Sequence, residues 1–365
     1  MRSFSEIQIT LPFNISPLYQ FKRIALGFAG AILQQPGWGG LLRASIEKRS
    51  MARKFPPRLV RRERSPFQIL VYHRVLKAYD PFAVDAITVD AFEKHLMMLS
   101  RLFRLITVEQ LMQELENGGV QPHTICLTFD DGYRDNFENA FPLLQKHGVP
   151  ATIFLTTDFI GTDEQLWHDQ VLLALQDADC KRLNFDAAQL TSIDLGNPEN
   201  RRKIAFKILS WLKQFTPEVR DRHISQLCEI CRVAAVNRHR LMLSWDEVRL
   251  MHKRGVAFGA HTKTHPILST LGEEQLKNEI TGSKAAIEEA LDTPISGFAC
   301  PNGKPGDFNE QVKQALRQAE FRCAVTTSAG VNTNGQDPFE LFRTMPWDPD
   351  PNRLLGRLLY ERFTG

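Results

Sequence analysis

From residue 65 onward the chain alternates apolar runs of strand length with longer segments that carry the period of an amphipathic helix, and no other feature limits its fold as strongly. Strand-like runs lie at residues 67–73, 125–129, 150–155, 256–260, 295–299, 321–326 and 341–345. Helical patterns lie between them at residues 90–102, 107–117, 136–147, 244–255 and 307–320. This alternation is typical of parallel strands joined by helices. The sequence therefore predicts an α/β barrel with its functional groups at the carboxyl ends of the strands.

Two adjacent carboxylates follow one of these strands, in the segment Thr128-Phe129-Asp130-Asp131-Gly132. Successive side chains of a strand point in opposite directions, so we expect Asp130 and Asp131 to have different roles. The alternative is a turn that only ends the strand.

Two histidines follow another strand-like run, in the segment His261-Thr262-Lys263-Thr264-His265. Gly259 before the segment and Pro266 after it favour a strand end and loop over a helix. Imidazoles four residues apart can converge on a borderline divalent metal ion, although two alone make an incomplete site. One added carboxylate would complete a triad that leaves positions open for water and substrate.

These two segments, together with Phe298-Ala299-Cys300-Pro301-Asn302-Gly303, resemble the polysaccharide deacetylase family (NodB homology, carbohydrate esterase family 4) in order and in setting. The resemblance covers about residues 67–347. It implies a distorted (β/α) barrel with fewer than eight strands and a metal-dependent N-deacetylase. It also implies that Asp131, His261 and His265 bind one divalent ion, with Zn²⁺ expected, and that Asp130 is the catalytic base.

The same resemblance suggests His73 as the general acid. Most members carry this histidine in a Leu-x-x-His segment near the C-terminus, but this chain has no His after His265. The permuted branch that acts on poly-N-acetylglucosamine begins instead with a Tyr-His strand, and Val71-Tyr72-His73-Arg74 is similar to it. A structural histidine at the end of a strand is the alternative.

Two positions depart from the family pattern. Ala299 replaces an Arg that steadies the base, and Arg343 is our candidate to take over that role. Asn302 replaces a Tyr that follows Pro301, and its backbone N–H could still serve an oxyanion.

Residues 163–243 interrupt the alternation and are mainly helical in pattern. We interpret them as an insertion in the deacetylase domain (residues 65–365) that covers or extends the substrate cleft. Cys228 and Cys231 form a Cys-x-x-Cys within this segment, but no second pair accompanies them and a metal or redox role is not favoured.

Residues 1–64 form a basic arm with 12 Lys and Arg against three Glu. This excess predicts contact with an anionic phospholipid surface. The apolar run at residues 24–33 is too short to span a bilayer, and no reading motif for nucleic acid accompanies the arm. We expect a cytoplasmic protein, peripheral at the inner face of the membrane. A secretion signal, a packed helix and a disordered arm are the alternatives.

The expected function is metal-dependent N-deacetylation of N-acetylated amino sugars in a polysaccharide or exopolysaccharide. Deacetylation or deformylation of a lipid-linked saccharide is one alternative, and a catalytically inactive saccharide-binding protein is another. A glycosidase with two carboxylates is disfavoured, because adjacent strand residues cannot readily flank one sugar ring and the histidines would be unused.

Overall fold

The computed structural model describes residues 66–83, 85–233 and 240–364. The basic arm at residues 1–64 lies outside this range, so its contact with a membrane surface stays a prediction. Among the described residues, no helix is both long enough and apolar enough to cross a membrane.

The described residues contain eleven strands and ten α-helices. The strands are β1 (Gln68–Tyr72), β2 (Arg74–Leu76), β3 (Ala86–Thr88), β4 (Arg104–Ile106), β5 (Thr124–Phe129), β6 (Thr152–Leu155), β7 (Arg182–Phe185), β8 (Leu190–Asp194), β9 (Ala257–Ala260), β10 (Gly297–Ala299) and β11 (Cys323–Val325). The helices are α1 (Val89–Leu102), α2 (Val108–Glu116), α3 (Phe141–His147), α4 (Trp167–Gln176), α5 (Pro198–Leu212), α6 (Pro217–Cys231), α7 (Trp245–Lys253), α8 (Glu273–Leu291), α9 (Glu310–Gln318) and α10 (Pro351–Thr364).

Seven parallel strands form the main sheet in the order β1-β5-β6-β9-β10-β11, with β4 also paired to β5. Two isolated parallel bridges connect the edges of this sheet, Leu341 to Val325 of β11 and Thr344 to Leu70 of β1. The sheet is therefore a distorted barrel with fewer than eight strands, and the predicted fold class is confirmed. The predicted strand at 341–345 is not continuous, because it crosses from one edge of the sheet to the other: Leu341 donates to Ala324 and Thr344 donates to Ile69.

Alternate residues of the strands face two different apolar layers. In β5, Cys126 packs inside the barrel with Phe154, whereas Leu127 packs in the layer between sheet and helices. Thr128 and Asp130 continue the inward-facing side of Cys126, since side chains two residues apart on a strand share a face. This parity directs Asp130 into the barrel.

Capping boxes begin two of the helices. Ser244 and Glu247 form a reciprocal capping box at the start of α7, as their spacing predicts. Thr107 and Gln110 form another at the start of α2. These caps satisfy backbone N–H groups that would otherwise lack partners.

The segment at 163–243, named the inserted segment after the prediction, has an apolar core of its own, built by α4, α5 and α6 with residues such as Val171, Ile208 and Leu212. It also contains the antiparallel hairpin β7–β8, which the mainly helical interpretation missed. Cys231 is buried in this core, and Cys180 and Cys228 pack against it.

Candidate active site

Asp131 occupies a tight turn at the end of β5. Gly132 N–H donates to Asp130 O at 2.9 Å, which makes a three-residue turn centred on Asp131 at φ +73°. This left-handed conformation is uncommon for a residue other than glycine and is often found at functional sites. The turn separates the directions of the two carboxylates.

The histidines after β9 converge on Asp131. Asp131 Oδ1 lies 3.4 Å from His261 Nε2 and 3.3 Å from His265 Nε2. One potential ligand atom from each of the three residues lies within 4.8 Å of the others, and all three side chains are buried. The structure thus brings together the three predicted metal ligands.

The protonation pattern of this triad suits a cation. His261 Nδ1 lies 2.7 Å from Ala299 O and donates to it, so Nε2 is the nitrogen that faces Asp131. Burial acts to lower the pKa of His261, but the charges of Asp130 and Asp131 outweigh it and raise that pKa, so a bound cation would replace a proton at Nε2. Burial acts to raise the pKa of Asp131, but the neighbouring imidazoles outweigh it and hold that pKa well below its usual range. Burial holds the pKa of His265 well below its usual value, so this ring is neutral. Asp131 Oδ1 is buried without a hydrogen-bond partner among the described residues, and this donor set fits a divalent ion.

A buried glutamate holds the loop that carries the histidines. Glu279 of α8 accepts from the backbone N–H of Lys263 at 2.7 Å and of Thr264 at 3.0 Å. Thr262 stands at φ +68°, and its hydroxyl accepts from the N–H of His265 at 2.9 Å. Sequence analysis did not identify Glu279, because nothing local links it to a loop 15 residues earlier.

Arg343 holds Asp130 inside the barrel. Its Nη1 and Nη2 donate to the two oxygens of Asp130 at 2.7 and 2.6 Å, and its Nε donates to Thr326 O. Both side chains are almost completely buried. Burial acts to raise the pKa of Asp130, but the charge of Arg343 outweighs it, so that pKa is lowered and the carboxylate stays ionised. The structure thus places the suggested replacement for the missing Arg in contact with Asp130.

His73 follows β1 and lines the same cavity as the triad. The cavity has a volume of about 360 Å³, with Asp130, Asp131, His261 and His265 on its wall. His73 Nδ1 is buried without a hydrogen-bond partner among the described residues.

Pro301 and Asn302 form a second tight turn beside the triad. Gly303 N–H donates to Pro301 O at 2.7 Å around Asn302, which stands at φ +58°. A Cβ on Gly303 would lie 2.8 Å from Thr327 N, so only glycine fits there. Asn302 lines the cavity, but Pro301 is not among the lining residues.

The inserted segment also contributes to the cavity wall. Trp167 Nε1–H donates to His265 O at 3.2 Å and so links α4 to the histidine loop. Tyr133 donates to Asp169 at 2.9 Å, and His168 Nε2 lies 3.0 Å from the same hydroxyl oxygen. Because the tyrosine proton goes to Asp169, the His168 ring nitrogen is the donor to that oxygen. Sequence analysis missed these residues; the polar pair directly after Trp167 was the available signal.

Comparison with known families identifies the chain. The family model described as "Polysaccharide deacetylase" matches residues 117–185 and 203–324. The chain belongs to the polysaccharide deacetylase family. The match includes Asp130 and the triad, whereas His73 and Arg343 lie outside it.

Two curated relatives carry related descriptions. The Bacillus subtilis protein YxkH, provisionally described as a polysaccharide deacetylase, is 20% identical over 219 residues, which is 60% of this chain and 50% of the relative. The poly-β-1,6-N-acetyl-D-glucosamine N-deacetylase of Staphylococcus epidermidis is 32% identical over 76 residues, 21% of this chain and 26% of the relative. The matched regions thus span half or less of these relatives.

Two solved deacetylase structures share the fold. The Streptococcus pyogenes deacetylase PplD is 18% identical with a TM-score of 0.53, covering 82% of this chain and 98% of that chain. IcaB from Ammonifex degensii is 19% identical with a TM-score of 0.54, covering 80% of this chain and 96% of that chain. At this level of identity, the comparison shows that the two deacetylases and the present chain share a fold.

Proposed function

We propose that this protein hydrolyses N-acetyl groups of amino sugars in a polysaccharide or exopolysaccharide. The reaction would use one divalent ion, and Zn²⁺ is the ion that we propose. The observation that carries this proposal is the Asp131–His261–His265 triad, buried beside a second carboxylate that Arg343 holds ionised. The S. epidermidis relative described as a poly-β-1,6-N-acetyl-D-glucosamine N-deacetylase supports the substrate class.

Asp131, His261 and His265 would hold the ion through one carboxylate oxygen and two imidazole nitrogens. When bound, an ion of this kind lowers the pKa of water and polarises a carbonyl group. Asp130 accepts the proton of the attacking water. Arg343 holds the Asp130 carboxylate in the orientation that this transfer needs. Two adjacent carboxylates thus perform two different tasks.

Collapse of the tetrahedral intermediate requires a proton on the leaving nitrogen, because an amine anion is a poor leaving group. His73 supplies this proton from the cavity wall. The backbone N–H of Asn302, in the turn after Pro301, donates to the developing oxyanion. The Ala299 departure is compensated by Arg343, and Ala299 O orients His261 instead.

Mass spectrometry tests this proposal. Zn²⁺-loaded protein is incubated with N-acetylglucosamine oligomers, polymer fragments and a lipid-linked acetylated sugar, and products are examined for loss of one acetyl group. We expect loss of acetyl from the oligomers, and none with Asp131→Asn. Full metal occupancy without acetyl release from any of these substrates would contradict a catalytic role and favour a saccharide-binding protein.

A further inference from the structure

Two lysines from different parts of the chain line the mouth of the catalytic cavity. Lys213 caps the carboxyl end of α5 in the inserted segment, and Lys304 follows the Pro301–Gly303 turn. Both side chains are exposed to solvent. The surrounding protein and the charge of Lys304 lower the pKa of Lys213. Because both residues line the same cavity, two positive charges lie on its wall.

Neither lysine side chain makes an ion pair or hydrogen bond within the described part of the chain. Some other lysines are paired, such as Lys203 with Glu199 at 2.9 Å and Lys313 with Asp337 at 2.9 Å. Asp307, which accepts from the backbone N–H of Lys304, and Asp85, which lines the same cavity, act on Lys213 only at longer range, Asp307 the more strongly. Two like charges thus face one opening without an ion pair.

The carboxylates deeper in the cavity already have partners. Asp130 is paired with Arg343, Asp131 belongs to the proposed metal site, and Asp169 accepts from Tyr133. An incoming anion would therefore meet the two lysines at the mouth, with Asp85 as a neighbouring carboxylate. The three deeper carboxylates are engaged by the partners just named.

Helix α5 presents a continuous face to the cavity. Phe206, Leu209, Ser210 and Lys213 all line it, and their spacing of three, four and seven residues places them on one side of the helix. The half-buried ring of Phe206 and the buried Leu209 are thus followed by a hydroxyl and a positive charge. This order suits a saccharide that carries an anion beside the reacting sugar.

We propose that Lys213 and Lys304 form a subsite for an anionic substituent, a carboxylate or a phosphoryl group, on the saccharide next to the acetylated amino sugar. The inference rests on the proposed function and specifies its substrate class. Because deacetylation creates an ammonium group, the same lysines disfavour substrates whose neighbouring sugars are already deacetylated.

The test compares kcat/KM of the Zn²⁺-loaded full chain on matched acetylated substrates. These are a neutral N-acetylglucosamine tetramer, a tetramer alternating N-acetylglucosamine with glucuronate, and an N-acetylglucosamine tetramer bearing a 1-phosphate. We expect the anionic substrates to be preferred. Lys213→Gln or Lys304→Gln should each lower kcat/KM on them by about two- to five-fold, and the double variant by about ten-fold, as partly exposed charge pairs do. The losses on the neutral tetramer should be smaller than those on the anionic substrates, because an uncharged sugar carries no charge for the ammonium groups to attract.

Lys203→Gln is the matched control, since it removes the same charge from the same helix but away from the cavity. Raising the salt from about 50 mM to about 500 mM should abolish the preference of the unsubstituted protein, because ions screen such contacts. A preference for the glucuronate substrate alone would identify the bound substituent as a carboxylate. A preference for the phosphate-bearing substrate alone would identify it as a phosphoryl group. Equal kcat/KM on neutral and anionic substrates, or equal losses on both in the double variant, would overturn the proposal.

Calorimetry separates this inference from the proposed function. If no substrate is turned over, the proposed deacetylase activity fails, but binding of the glucuronate tetramer can still be measured on the Zn²⁺-loaded protein. About ten-fold weaker binding by the double variant, with Lys203→Gln unchanged, would support the subsite. Equal affinity of the double variant and the unsubstituted protein would overturn it.

Discussion

Replacing Arg343 by Met should destabilise the protein far more than a surface substitution of the same kind. Arg343 is fully buried and donates to both oxygens of Asp130, which is buried as well. Met preserves much of the side-chain volume but removes the charge, so a buried carboxylate remains without its partner. Breaking a buried ion pair in this way costs about 3–5 kcal/mol in the free energy of unfolding. The carbonyl of Thr326 also loses a donor.

A double-mutant cycle isolates the contribution of the pair. Asp130→Asn combined with Arg343→Met removes both charges, so the penalty for an uncompensated ion disappears while the unpaired Thr326 carbonyl remains. We expect the two changes together to cost less than the sum of their separate costs by at least about 1.5 kcal/mol. Arg353→Met is the control, since Arg353 lies 3.8 Å from Asp350 at the surface, and it should cost less than about 1 kcal/mol.

Urea unfolding at neutral pH, followed by tryptophan fluorescence, measures these free energies. It should be done on metal-free protein, so that loss of a bound ion does not contribute. Turnover of Arg343→Met on an acetylated oligomer should also fall, with metal content retained, because the base is no longer held in position. The reasoning is refuted if Arg343→Met costs less than about 1 kcal/mol, or if the two substitutions are additive.

Four further outcomes are expected. His261→Ala or His265→Ala should abolish binding of about one divalent ion in elemental analysis, and full occupancy in both would show that the ligands are misassigned. Asp130→Asn should keep the ion but lose at least ~10²-fold in turnover, because an amide does not accept the proton of water. His73→Ala should depress turnover of amides far more than of activated acetate esters, whose leaving groups need no proton; equal losses would place the acid elsewhere. Burial lowers the pKa of His95 to about 4, so the unfolded chain takes up this proton first as the pH falls. The stability that depends on neutral His95 should be complete above about pH 6.5 and decline by about 3 kcal/mol toward pH 4, and His95→Gln should remove this decline in urea unfolding.

The chemistry-bearing residues could be predicted because their signals are local. Asp130, Asp131 and His261 directly follow apolar runs, at the ends of the observed strands β5 and β9, and His265 lies in the loop after His261. Parallel strands place their carboxyl ends at one rim, so the convergence of these residues follows once the strands are recognised. Arg343 was suggested only as a replacement for the Arg missing at Ala299, since its partner lies 213 residues away in the chain.

Short strands and the hairpin escaped prediction for a different reason. β2, β3 and β4 have three residues each, too few to display an alternating pattern. The equally short β10 and β11 were recognised because they lie within longer apolar runs. The β7–β8 hairpin lies between two helices, and its exposed residues such as Arg182 and Asn184 resemble those of a helix surface. Its stability comes from Leu183 and Phe185, which pack into the core of the inserted segment.

The inserted segment shows why substrate selection is harder to predict than reaction chemistry. The stripe of α5 that includes Ile208 and Leu212 has the composition of a buried face, and these residues are buried in the inserted segment's core. Ser210 and Lys213, on the face toward the cavity, have the composition of an ordinary solvated surface. Apolar periodicity reports which side of a helix leaves water, but it carries no information about which polar side faces a ligand. The fold places α5 opposite the turn that precedes Lys304, and only this arrangement makes Lys213 part of the cavity mouth.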